Sequence, residues 1–160
     1  MPHRLTSISA SVLCMVVLVA MSGCGNEHED VSAVPGENGA EKVITVFARA
    51  LADGDGARAC SLLSEQAQLE LQARVGGGDC LAAVRAASEG MSPEAAETLR
   101  DVDLSDTRAD GDVATTKVTL SGRGAAEAAE ALGGTTARLV RVEAHWEIQP
   151  TSRASADASS

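Results

Sequence analysis

The chain has 160 residues, a formal net charge of −10 and 44% hydrophobic residues, a length that suits one domain. So acidic a chain is repelled by phosphate backbones and by anionic headgroups, which excludes nucleic acid as a partner and electrostatic adhesion as a route to a membrane. With one Phe, one Trp and no Tyr, its core has to be built mainly from Ala, Val and Leu.

Arg4 is the sole charged side chain before Glu27, and the stretch from Ile8 to Met21 is nearly all apolar. A basic start, a short apolar run and small residues before a cut site read as a secretory signal. The run falls short of the about 20 apolar residues that a membrane-spanning helix needs. Met21-Ser22-Gly23-Cys24 resembles a bacterial lipobox. In that motif the cysteine thiol receives a diacylglycerol, the chain is cut just before it, and the new amino terminus is usually acylated. Small residues at the two preceding positions let the backbone enter the peptidase; Met21 stands where Leu is commoner. Residues 1–23 are therefore expected to be a lipoprotein signal peptide, with Cys24 the lipidation site and the outer face of the cell membrane the location. The competing reading is an ordinary signal with an incidental cysteine. Buried acyl chains contribute about 0.8 kcal/mol per methylene, so two or three chains on Cys24 would anchor the protein firmly. Cleavage would remove Arg4 and no acid, leaving 137 residues with a formal charge of −11.

Residues 24–39 are polar, acidic and broken by Pro35-Gly36, which reads as a lipidated cysteine followed by a disordered tether of roughly 50 Å reach. From Ala40 to Asp53 the pattern becomes helical, with Val43, Phe47, Ala50 and Leu51 on one face and Gly54 as the C-terminal cap. Asp55 is placed to cap a short helix carrying Cys60, Leu62 and Leu63. Ser64 starts a helix marked by Leu69, Leu71 and Val75, which Gly76-Gly77-Gly78 breaks. Asp79 caps a helix from Cys80 to Ser88 that is expected to bury Leu81 and Val84. Ser92-Pro93-Glu94 opens a further helix, with a side-chain cap, Pro at the first position and acid in the first turn.

The period then changes to two. Val102 and Leu104 alternate with polar residues, and Asp110-Gly111-Asp112 is a tight-turn signal. Ala114, Thr116, Val118 and Leu120 share one face of the next strand. Gly122 to Gly134 interrupts, with Ala125 to Leu132 readable either as a helical turn or two or as a mobile loop. One long strand is expected after it, with Val140, Val142, Ala144, Trp146 and Ile148 on its apolar face. Pro150 stops that strand, and residues 150–160 read as a frayed polar tail. Helices first and an antiparallel sheet after them make the fold class α+β, the N-terminal helices packing on the sheet's apolar face.

Of four cysteines, Cys14 leaves with the signal and Cys24 takes the lipid. Cys60 and Cys80 remain, an even pair in an oxidising compartment, where disulfides persist. A bond between them closes a loop of about 20 residues, worth about 3 kcal/mol in the chain-entropy model. Two buried thiols or a redox pair are the alternatives, and no C-x-x-C motif supports the latter.

Glu41 to Phe47, then Ala50-Leu51-Ala52-Asp53-Gly54-Asp55 and Ala59-Cys60, resemble the opening of actinobacterial NTF2-like lipoproteins; Arg138 to Ile148, ending in Trp146-Glu147-Ile148, is similar to their last strand. Eleven arginines against two lysines, with abundant Ala and Gly, fit the high-GC composition of that group. The resemblance covers residues 40–149. It implies a curved antiparallel sheet wrapped around helices as a cone with a pocket, whose rim the Gly122–Gly134 insertion alters. The family fold hosts isomerases, dehydratases and inert binders, so fold alone does not decide activity.

The isomerases of this fold pair an acidic base with a Tyr donor, and this chain has no Tyr. Phe47, Trp146 and His145 are the candidate pocket residues. Trp146 either packs in the core or lines the pocket, and His145 is either solvated or faces the cone. His28-Glu29-Asp30 lacks the ligand set of a metal site, and Asp106, Asp110 and Asp112 lack the spacing of a calcium loop. Gly76-Gly77-Gly78 follows a helix without the downstream residues of a phosphate cradle, and no Gly-x-Ser-x-Gly elbow is present. No metal, cofactor or catalytic residue is assigned. The expected function is a non-enzymatic module that binds a small hydrophobic ligand or an envelope protein. The alternatives are an isomerase or hydrolase using a carboxylate in the cone, and a structural spacer in an envelope complex.

Overall fold

The computed structural model describes residues 30–150. The signal segment, Cys24, the tether up to residue 29 and tail residues 151–160 lie outside the described residues. A 3-10 turn at Val31–Ala33 precedes α1 (Gly36–Asp53), α2 (Gly56–Ser61), α3 (Glu65–Val75), α4 (Cys80–Glu89) and α5 (Pro93–Arg100). Then come β1 (Asp103–Asp110), β2 (Val113–Thr119), α6 (Ala125–Leu132), β3 (Thr136–Val142) and β4 (His145–Gln149). The chain is α+β: helices pack on a curved, unclosed antiparallel sheet in the order β1-β2-β3-β4.

Local chemistry sets the helix limits. Asp55, Ser64, Asp79 and Ser92 each accept, through the side chain, the backbone N–H three residues on, at Arg58, Ala67, Ala82 and Ala95. Each such cap is worth about 1 kcal/mol. Gly54, in the left-handed region at φ 69°, closes α1 by donating to the Ala50 and Leu51 carbonyls. α1 is the central element, touching α2, α4, α5, β1, β2 and β4. It buries Val43, Ile44, Phe47, Ala48 and Leu51 against Ala114 and Val118 of β2, Leu139 of β3, and Trp146 and Ile148 of β4.

Cys60 of α2 and Cys80 of α4 are joined by a disulfide. The loop between α2 and α3 runs along β4: Ile148 N–H donates to the Leu62 carbonyl and Ser64 N–H to the Ile148 carbonyl, so the β4 edge of the sheet is covered at Ile148.

Three expectations need correction. The disordered tether does not extend to residue 39. Val31, Ser32, Gly39 and Ala40 are buried, and α1 begins at Gly36, four residues earlier than its apolar period indicates. Gly39 stands on that first turn because the chain approaches closely there: a methyl at Gly39 would collide with the Val34 carbonyl.

Leu69 and Leu81 are exposed, at 57% and 51%. α3 buries Ala67 and Leu71, four residues apart on one face, which turns Leu69 away. α4 turns Cys80 inward to its disulfide, and the next residue is rotated about 100° from it.

The single long last strand is two strands, β3 and β4, paired Val142 with His145 across a two-residue turn. Glu143 and Ala144 take φ 49° and 78°, the positive values of a type I′ turn without the usual Asn or Gly. The inward face of β3 is accordingly Ala137, Leu139 and Arg141, and Val142 points to solvent. Of the two readings of Ala125–Leu132 the helical one holds: the stretch is α6, buried at Ala128 and packed on α5.

Candidate functional site

The residues predicted to share one pocket are divided between two places. Phe47 lines a cavity of about 200 Å³ between α1, α3 and the sheet. Trp146 and His145 border a separate groove at the other end of β4, next to the N-terminal segment. β4 spans about 14 Å at the usual rise, which sets the distance between the two places along the strand.

The cavity is apolar inside and polar at its mouth. Ile44 and Phe47 of α1, Leu71 of α3, Val118 of β2 and Ile148 of β4 form its walls. These positions converge because α1 crosses the inner face of the sheet, while alternate residues of β2, β3 and β4 point at it. The end of α6, at Leu132 and Gly133, and Gln149-Pro150 frame the opening. Glu70 and Arg74, one turn apart on α3, are the charged residues of the lining, and both side chains reach solvent. Arg74 donates from Nη1 to the Glu130 and Ala131 carbonyls at 2.9 and 3.3 Å, so it caps the C-terminus of α6. The other end of α6 is held through Glu127, whose carboxylate accepts the Ser92 N–H at 2.6 Å and the Ser92 hydroxyl at 2.5 Å. Those two bonds keep the Glu127 carboxyl below its ordinary value, the hydroxyl contributing most.

The second place is a cluster that sequence reasoning did not assemble. Ser32, buried, donates its hydroxyl to Asp30 Oδ1 at 2.5 Å and lies 3.1 Å from His145 Nδ1. Asp30 Oδ2 is 3.2 Å from the same nitrogen. The Ser32 hydroxyl is the main reason the Asp30 carboxyl sits below its ordinary value; His145, the Ser32 N–H and Arg58 add to it, against some desolvation. A Ser-His-carboxylate relay needs the serine and the acid on opposite ring nitrogens. Here both meet Nδ1, so the arrangement ties residues 30–32 to the start of β4 and does not activate a nucleophile.

Trp146 is 1% exposed and donates Nε1–H to the Val34 carbonyl at 3.0 Å. It therefore belongs to the core and to the docking of the N-terminal segment. The Arg141 guanidinium lies over its ring, 5.9 Å from the centroid, within cation–π range. The Arg141 Nε is buried without a hydrogen-bond partner among the described residues.

The N-terminal cluster escaped the sequence because its partners are 113 residues apart. Glu127 and Arg74 escaped because the helix they hold was itself ambiguous. Asp110, Gly111 and Asp112 belong to the β1–β2 hairpin, in which Asp110 pairs with Val113. Among the described residues no three metal-ligating side chains converge, and no helix is long and apolar enough to cross a membrane. No protein-family model, no curated protein and no solved structure matches this chain.

Proposed function

We propose that this protein is an NTF2-like lipoprotein, anchored through Cys24 to the outer face of the cell membrane, whose cavity binds a small apolar ligand and does no chemistry on it. The observation that carries the reading is the cavity of about 200 Å³ walled by Ile44, Phe47, Leu71, Val118 and Ile148. Its volume exceeds that of a dry 150 Å³ cavity that takes benzene, so a ring or a chain of about six carbons fits. Glu70, the carboxylate in the lining, is solvent-exposed and stands at the mouth, not among the apolar walls where a bound ligand would sit. That favours binding over an isomerase or hydrolase.

The anchor is supported by Met21-Ser22-Gly23-Cys24 and by the Cys60–Cys80 disulfide, a bond that persists in oxidising compartments. With residues 30–39 docked on the domain, six peptide steps separate Cys24 from Asp30, a reach of about 20 Å. The His145 end of β4 would then face the bilayer, and the cavity mouth, at Gln149, would face away. Asp30, Glu143 and Glu147 at the near end would keep the domain from lying flat on anionic lipid.

Saturation-transfer NMR with toluene tests the pocket. Transfer to the wild type and its loss in Ala137→Phe, which fills the cavity from β3, is the expected result. No transfer to the wild type overturns the reading.

A further inference from the structure

Arg74 stands at the mouth of the apolar cavity with its guanidinium already held in place. Nη1 is fixed by the Glu130 and Ala131 carbonyls, and Gly133 leaves the space the group occupies: a methyl there would lie 3.1 Å from Nη1. Gly133 also takes φ 86°, which favours glycine on its own account. A guanidinium carries five N–H donors in a planar fork. Among the described residues, the Nε and Nη2 donors of Arg74 make no hydrogen bond. The result is an oriented cation with unused donors beside an apolar chamber.

Glu70 lies four residues before Arg74 and makes no hydrogen bond or ion pair among the described residues. Among the described residues nothing fixes its carboxylate, so it can turn from an incoming anion, while Arg74 cannot turn from it without giving up the α6 cap. Polar atoms of Thr136 and Gln149 complete the rim.

We propose that the ligand of this cavity is a small amphiphilic carboxylate, its apolar end among Phe47, Leu71 and Ile148 and its carboxylate on the outer edge of Arg74. This rests on the cavity being a binding site, as proposed above, and adds the chemistry of the headgroup. Arg74 is then both the clasp on α6 and the group that selects the head. Charge-assisted hydrogen bonds of this kind contribute more than neutral ones. The preference for a carboxylate over the matching alcohol should be roughly tenfold.

The test uses the full protein in lipid nanodiscs, with empty nanodiscs as reference, and the short probes hexanoate and hexan-1-ol at pH 7.5. Binding is read by ligand-observed NMR. The wild type is expected to bind hexanoate roughly tenfold more tightly than hexan-1-ol. Arg74→Gln should lose that preference and keep its affinity for the alcohol; Arg74→Lys should retain part of it. Glu70→Gln should strengthen hexanoate binding severalfold. Ala137→Phe should abolish both, with Ala67→Leu as a second filling variant from the α3 side, and each variant's Trp146 fluorescence checks the fold. Equal affinity for the two probes, or a preference unchanged in Arg74→Gln, overturns the headgroup assignment while the cavity stands. Binding of both probes undiminished in the two folded filling variants overturns the cavity itself.

Discussion

Trp146 and Val34 are 112 residues apart in sequence and share one hydrogen bond, Nε1–H to carbonyl oxygen at 3.0 Å. Through it the last strand holds the segment that leads towards Cys24. The indole is almost fully buried, and the carbonyl it satisfies belongs to the turn entering α1. Trp146→Phe keeps most of the packing and leaves the Val34 carbonyl without its donor. The expected cost is about 1–3 kcal/mol, read as a lower urea midpoint. Trp146→Ala, which also empties the core there, should cost about 3–5 kcal/mol.

Gly39→Ala should release the same segment by a different route. The added methyl meets the backbone carbonyl of Val34, which cannot rotate away as a side chain would. Amide exchange and proteolysis within residues 30–39 should accelerate, while the Cys60–Cys80 region keeps its protection. Unchanged exchange at Val31 and Ser32 would show that the segment docks some other way.

Removing the disulfide should destabilise the fold without redirecting it. The bond closes a loop with a sequence separation of 20, and its chain-entropy contribution is about 3 kcal/mol. A Cys60→Ser, Cys80→Ser variant should show that drop in denaturant unfolding, as should the wild type in reductant. Free thiols on both residues in secreted wild-type protein would remove this staple.

Acid should weaken the two clasps together. Asp30 and Glu127 both have folded-state values below their ordinary ones, chiefly through hydroxyl bonds from Ser32 and Ser92. A depressed carboxyl stabilises the fold fully above its unfolded value, and that contribution fades as pH falls through the folded value. The window is therefore below about pH 4.5. Asp30→Asn and Glu127→Gln should each lower stability at pH 7 and flatten the decline between pH 5 and pH 3. Parallel curves for variant and wild type across that range would count against the clasps.

Cys24→Ala should abolish lipid labelling and either release the protein or leave an uncut precursor. Labelling that persists would place the acyl chains elsewhere.

The helices were largely legible because their signals are local. Asp55, Ser64, Asp79, Ser92 and Gly54 cap where a side chain or a left-handed glycine three or four residues away decides the matter. The β1–β2 hairpin was equally plain from Asp110-Gly111-Asp112. The turn at Glu143-Ala144 was hidden because neither residue favours positive φ; the pairing of β3 with β4 imposes it. That turn changed which face of β3 looks inward, and so which residues meet the cavity.

The amino-acid sequence by itself settled the α+β order, the capped helices and the pairing of acidic composition with a lipobox-like start. It could do so because caps, periods and charge act over a few residues or over the whole chain at once. Only the tertiary structure decided that Phe47 lines one cavity while Trp146 and His145 hold the N-terminal segment, and that Arg74 guards the cavity mouth. Those outcomes depend on close approaches between residues tens to a hundred positions apart, where packing and backbone geometry, not local preference, determine what touches what.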